Sequence, residues 1–168
     1  RRCYDVLRAQ GGLDFLFLLD LPHHDDGCAK ARLRGELERL AEEGFADVVI
    51  QPTHIMNGDE YDKLCALAAP FAGRLRLRFG TPLLTELEDY RQLCRVLMEE
   101  LPTPEDGEAL VFMGHGTGHY ANGAYAQLDY MLRDLGLRAF VGTVEGYPML
   151  EEVLRRLEER PEIRRVCL

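Results

Sequence analysis

Short apolar runs alternate along this chain with amphipathic helical stripes, and that alternation restricts the fold more than any other feature. Val48, Val49 and Ile50 form a β-branched run that ends in Gln-Pro-Thr-His. Leu75 to Phe79 alternates with arginines and ends in Gly-Thr-Pro. Ala109 to Met113 is wholly apolar and ends in Gly-His-Gly-Thr-Gly-His. Ala139 to Val144 ends in Glu-Gly-Tyr-Pro. Ile163 to Leu168 and Leu13 to Leu19 read as further strands. Between the runs lie four stripes of helical period: Leu33/Leu37/Leu40/Ala41, Leu84/Leu87/Leu93/Cys94/Leu97, Ala121/Tyr125/Leu128/Leu132/Leu135 and Leu150/Val153/Leu154/Leu157. A shorter helix is expected through Leu64 and Leu67. Gly136 falls where a helix C-cap is expected. Apolar strands separated by amphipathic helices bury both faces of a sheet, so the expected fold is α/β with parallel strands. The sharpest break in composition is Leu101 to Gly107, rich in proline and acid. It sets the expected division into an N-terminal part, 1–103, and a C-terminal part, 104–168.

Charge and cysteine content exclude several classes. The 168 residues carry 20 Lys+Arg against 29 Asp+Glu, a net charge of -9, and such a field repels polyanions. Nucleic acid is therefore not an expected partner. No apolar run approaches the roughly 18–20 residues that span a bilayer, because Asp14 and Asp20 interrupt the longest one. The cysteines at 3, 28, 65, 94 and 167 form no CxxC pair. Scattered thiols of odd number suit a reducing cytoplasm, where they act as small core hydrophobes.

Ligands of open parallel sheets bind outside the carboxyl ends of the strands. Three such ends carry distinctive groups: His54, His115 with His119, and Glu145. His23 and His24, beside Asp25 and Asp26, read as a solvated loop. The glycines flanking His115 remove side-chain bulk, which would let a large ligand approach and the imidazole project. Neutral imidazole suits cobalt, nickel, zinc and iron. Thr117 and the amides before the next helix offer an anion site. The bland alternative is a glycine-rich turn whose histidine caps a helix. Glu145 lies one strand–helix–strand step after His115, and consecutive parallel strands are commonly neighbours. There it can ligate a metal, accept a proton or orient the imidazole; alternatively it is an acid favouring the next helix N-terminus. Asn57-Gly58 favours a turn, and Asp59 and Glu60 suit a helix start. A rival motif is Gly116-Thr117-Gly118-His119-Tyr120-Ala121. It fits the dinucleotide fingerprint, although Glu145 lies further on than the usual ribose-binding acid.

Three segments, 49–61, 111–119 and 141–148, carry a resemblance. They read Val-Ile-Gln-Pro-Thr-His-Ile-Met-Asn-Gly-Asp-Glu-Tyr, Val-Phe-Met-Gly-His-Gly-Thr-Gly-His and Val-Gly-Thr-Val-Glu-Gly-Tyr-Pro. In that order they are similar to the anaerobic sirohydrochlorin cobaltochelatases, class II tetrapyrrole chelatases of cobalamin biosynthesis. The resemblance runs from about Glu36 to the end. It implies two similar α/β lobes with the active site in the cleft between them. The implied activity is ATP-independent insertion of Co²⁺ into sirohydrochlorin, with no organic cofactor. Ni²⁺ and Fe²⁺ would also suit a His/Glu site. His115 matches the family's metal-binding and proton-accepting histidine, and Glu145 its active-site glutamate. Substrate contacts are expected at Gly116, Thr117 and His54. Because sirohydrochlorin is a polycarboxylate, basic or amide groups must line its cleft; Arg74, Arg76 and Arg78 are candidates only by sequence proximity.

The chain also departs from the family pattern. No histidine follows His119, where the family has a second catalytic one, and nothing before Glu36 matches its first strand and loop. The expectation is a fragment of a longer enzyme that inserts cobalt poorly or not at all by itself. Two other readings stay open: a non-catalytic binder of metal or metallo-tetrapyrrole, and a dinucleotide-dependent enzyme. A homo-oligomer is compatible with the sequence.

Overall fold

The computed structural model describes residues 15–19 and 26–168, with side chains described from residue 30. The His23–Asp25 loop and Cys3 lie outside the described residues. The chain divides into two compact units, the first ending at Thr85 and the second spanning Glu86–Leu168.

In the first unit, strands β1 (Phe15–Leu19), β2 (Asp47–Pro52) and β3 (Arg76–Phe79) form a parallel sheet in the order β1-β2-β3. Helices α1 (Asp26–Glu42) and α2 (Asp59–Ala68) supply the crossovers. The Leu33/Leu37/Leu40 stripe of α1 is fully buried. It packs with Val48 and Ile50 of β2, Leu64 and Ala68 of α2, and Phe71 and Leu75. Burial alternates along β2, as a strand with one core-facing side requires. The acids Asp59, Glu60 and Asp62 fill the first turn of α2, where the helix dipole favours them. Arg76 and Arg78 lie within 4 Å of Asp47, at 3.4 and 3.8 Å. Asp47 opens β2, so these charges belong to the end of the sheet opposite the His54 loop.

The second unit contains α3 (Leu87–Glu100), β4 (Glu108–Gly116), α4 (Gly123–Asp134), β5 (Ala139–Glu145), α5 (Leu150–Glu158) and β6 (Arg165–Cys167). Its parallel sheet has the order β5-β4-β6, with β4 central. The helices cover opposite faces. A Cβ on Gly114 would strike Tyr125 of α4, whereas one on Gly142 would meet Val153 and Leu150 of α5. Gly114 pairs with Thr143, and Gly142 lies one residue away, so it faces the other side. On the α5 side Ala109, Val111, Phe140 and Val153 form a buried cluster with Leu157 and Ile163. On the α4 side the buried Asp129 accepts a hydrogen bond from the Val141 amide at 2.9 Å. It also holds Arg133 at 2.7 Å and Arg156 at 3.2 Å.

Each expected strand and helix among the described residues is present, with shifted ends. The largest shift is in β4, which continues through Gly114 and His115 to Gly116. His115 is thus a strand residue. Leu84 lies outside α3 and bridges to Met56 instead.

Candidate active site

The loops that follow the strands are shaped locally. After β2, the chain runs beside the segment after β3. The carbonyls of His54 and Ile55 accept hydrogen bonds from Leu83 and Leu84 at 3.0 and 2.7 Å. The Asn57 amide reaches the Thr85 hydroxyl at 3.0 Å. His54 is half-buried in this doubled loop. The chain bends at Asn57 and Gly58, and the helix starts at Asp59 as expected.

In the second unit, the last ladder pair of β4 and β5 is Gly116 with Glu145. His115 precedes Gly116, so the imidazole and the carboxylate stand on adjacent strands at the carboxyl edge of one sheet. Neighbouring strands are about 4.8 Å apart. Both residues are exposed. The register adds a constraint. Residue 115 alternates with Met113 and belongs to the α5 face; residue 145 pairs with Gly116 and belongs to the α4 face. A group that engages both must therefore sit over the edge of the sheet. Beside His115 this edge is apolar, since Met113 is 60% exposed and Val144 55%. Among the described residues, no group of three or more His, Cys, Asp or Glu is arranged to hold a metal ion.

The glycines around His115 serve a different purpose from the one expected. The space beside Gly114 is filled by the Tyr125 ring, which would lie 2.3 Å from an added Cβ. Beside Gly116 lies the Glu145 carbonyl oxygen, 1.5 Å from where a Cβ would be. Gly116 also has φ +79°, which L side chains disfavour. These glycines admit the protein's own atoms, so that β4 and β5 stay in register to their tips. Burial pushes the Tyr125 hydroxyl above its usual pKa, with a backbone hydrogen bond at Gly116 acting the other way.

The loop from Thr117 to Asn122 is braced by internal hydrogen bonds. The Thr117 amide donates to Asn122 Oδ1 at 3.0 Å, and the His119 amide donates to Thr117 Oγ1 at 3.1 Å. The Ala121 amide donates to His119 Nδ1 at 3.2 Å. His119 is therefore the cap of the short 3₁₀ turn Tyr120–Asn122, and its ring lies 4.0 Å from that of Tyr120. The bland reading of a capping histidine holds for His119. Three amides of this glycine-rich loop are thus already taken by the chain's own side chains. The Glu145–Pro148 segment is fixed by Thr143, whose hydroxyl donates to the Gly146 or Pro148 carbonyl at 2.9 and 3.1 Å. Asn122 Nδ2 donates to the Tyr147 carbonyl at 2.6 Å, and Arg156 donates to the Tyr147 hydroxyl at 2.9 Å. Asn122, Asp129 and Arg156 were not legible as site residues; they are polar groups inside or beside helical stripes, and only the fold brings them to the loops.

A parallel α/β sheet bearing an imidazole and a carboxylate at neighbouring strand ends places the chain among α/β proteins whose chemistry sits at the carboxyl edge. Comparison with known proteins makes this specific. The family model described as cobalt chelatase (CbiK) matches residues 25–168, and the chain belongs to that family. It is 43% identical over 126 residues to a protein of Salmonella typhimurium named sirohydrochlorin cobaltochelatase, covering 73% of this chain and 47% of that protein. It is 32% identical over 127 residues to sirohydrochlorin cobaltochelatase CbiKC of Nitratidesulfovibrio vulgaris, covering 73% of this chain and 45% of the relative. The chain spans about half the length of the curated relatives it matches.

Proposed function

We propose that this chain carries the metal- and proton-handling edge of an enzyme that inserts Co²⁺ into sirohydrochlorin without ATP. The observation that carries the reading is the pairing of Gly116 with Glu145, which sets His115 and Glu145 on adjacent strand ends in a chain of the cobalt chelatase family. Insertion requires the pyrrole N–H protons to leave while the metal exchanges water for ring nitrogens. His115 accepts a proton and offers the metal a nitrogen; Glu145 offers an oxygen or holds the imidazole. A site of few ligands binds the metal weakly enough to release it. The overall exchange balances as one Co²⁺ taken into the ring for the pyrrole protons given up. Ni²⁺ and Fe²⁺ fit the same donor set. Thr117 would contact substrate beside His115, and the buried Gly116 would hold that tip of β4 in register with Glu145. A cytoplasmic location belongs to this proposal; among the described residues, no helix is long and apolar enough to cross a membrane.

The test is the absorption spectrum of sirohydrochlorin on adding Co²⁺ to the chain and to its His115→Ala and Glu145→Ala variants. The expected result is a slow cobalt-dependent spectral change that His115→Ala abolishes and Glu145→Ala slows at least tenfold further. Equal rates in the chain and in His115→Ala would overturn the assignment. Binding of Co²⁺ and macrocycle with no spectral conversion would favour the non-catalytic reading.

A further inference from the structure

Resting on that reading, we infer that Asn122 is a positioning residue that sets the spacing between His115 and Glu145. The ladder of β4 and β5 ends at Gly116 and Glu145, and no backbone pairing links the segments beyond. Both segments turn away with positive φ, +79° at Gly116 and +82° at Gly146. Asn122 spans the gap with its two ends. Its Oδ1 accepts from the amide of Thr117, two residues past His115, at 3.0 Å. Its Nδ2 donates to the carbonyl of Tyr147, two residues past Glu145, at 2.6 Å. The residue is 8% exposed, so water does not replace these partners readily. The fit is close: a Cβ on Gly146 would lie 2.7 Å from Asn122 Nδ2 and 2.8 Å from the Thr117 carbonyl oxygen.

An amide meets both demands, since its oxygen accepts and its nitrogen donates. Aspartate keeps the bond from Thr117 but turns an anion toward the Tyr147 carbonyl. Leucine keeps the bulk and makes neither bond. The remaining hold on the second segment comes from Thr143 and from the Asp129–Arg156–Tyr147 hydroxyl chain. Those contacts hold the β5 side, whereas Asn122 bonds both segments. Because His115 and Glu145 engage a common group over the sheet edge, a loosened latch would change the distance a metal must span. Outer partners that orient metal-binding groups typically change metal affinity about 10–100-fold when lost.

The experiment is a Co²⁺ titration of the chain, read by paramagnetic broadening of the backbone amide signals of residues 115–117 and 145–147. Asn122→Leu and Asn122→Asp are compared with His115→Ala and with Leu132→Ala, which weakens the fold on the α4 side without touching either loop. Hydrogen exchange of the Thr117 amide is followed in parallel. The expected result is broadening of both segments together in the chain. Asn122→Leu raises the Co²⁺ dissociation constant about tenfold and speeds Thr117 exchange. Asn122→Asp keeps Thr117 protected yet still weakens Co²⁺. Leu132→Ala leaves the dissociation constant unchanged below its melting range. Unchanged Co²⁺ affinity in Asn122→Leu, with His115→Ala abolishing binding, overturns the inference and spares the proposed function. Equal binding in the chain and His115→Ala, or no binding by either, overturns both.

Discussion

Replacing Gly116 by alanine should destabilise the second unit sharply, for two separable reasons. The first is conformational: φ is +79°, and an L residue in the left-handed region costs about 1–2 kcal/mol. The second is steric. The new Cβ would lie 1.5 Å from the Glu145 carbonyl oxygen, 2.6 Å from its carbon and 2.8 Å from Thr143 Cβ. Two of these atoms are backbone, so relief requires the β4 and β5 tips to part; overpacking of that kind costs about 1–3 kcal/mol. Together they give about 2–5 kcal/mol. A unit of this size loses about 4–8 °C of Tm per kcal/mol, so the expected drop is about 10 °C or more. Two other glycines divide the effect. Gly136 has φ +81° but nothing within 4 Å, so Gly136→Ala isolates the conformational part at about 1–2 kcal/mol. Gly118 has open space and no positive φ, and Gly118→Ala should stay within about 0.5 kcal/mol. The assay is urea and thermal unfolding followed by far-UV circular dichroism, since the chain has no tryptophan. Equal midpoints for Gly116→Ala and Gly118→Ala would refute the packing argument. A Gly116→Ala loss no larger than that of Gly136→Ala would refute its steric half.

Asp129→Ala should cost about 2–4 kcal/mol, because it strands the Val141 amide and two guanidinium groups around a buried position. Arg133→Ala removes one half-exposed partner and should cost under about 1 kcal/mol, so equal losses in urea unfolding would contradict the role given to Asp129. In the first unit, Leu37→Ala opens a cavity in a fully packed cluster and should cost about 2–5 kcal/mol by the same measurement, with a loss under 1 kcal/mol counting against that core. Among the described cysteines, Cys167 is exposed and should alkylate first. Burial pushes the Cys94 thiol above its usual pKa, which lowers the thiolate fraction at neutral pH. Its labelling, mapped by peptide mass, should lag and should accelerate as pH rises; labelling of Cys94 ahead of Cys167 at neutral pH would overturn the burial described for it.

Much of the fold was legible because it rests on local periodicity. The three leucines of the Leu33/Leu37/Leu40/Ala41 stripe are buried and Ala41 is partly so, and the β-branched run at 48–50 lies in the central strand of its sheet. The strand ends that carry His54, His115 and Glu145 were also legible, since each lies within a few residues of the end of an apolar run. Periodicity failed where glycine interrupts it. The Gly114–Gly116 segment has no side-chain pattern to read, and it remains in the ladder only because Tyr125 and the Glu145 carbonyl fill the space its glycines leave.

The sequence by itself determined the alternation of strands and helices, the three motifs that mark the family, and the acidic net charge. These depend on spacing of a few residues and on side-chain chemistry, which a linear reading contains. The tertiary structure alone decided which residues meet. It paired Gly116 with Glu145, put residues 115 and 145 on opposite faces of one sheet edge, assigned the cap to His119, and set Asn122 between Thr117 and Tyr147. The physical reason is that register and hydrogen-bond partners follow from how helices press on a sheet, and the residues concerned lie up to a whole strand–helix–strand unit apart in the chain.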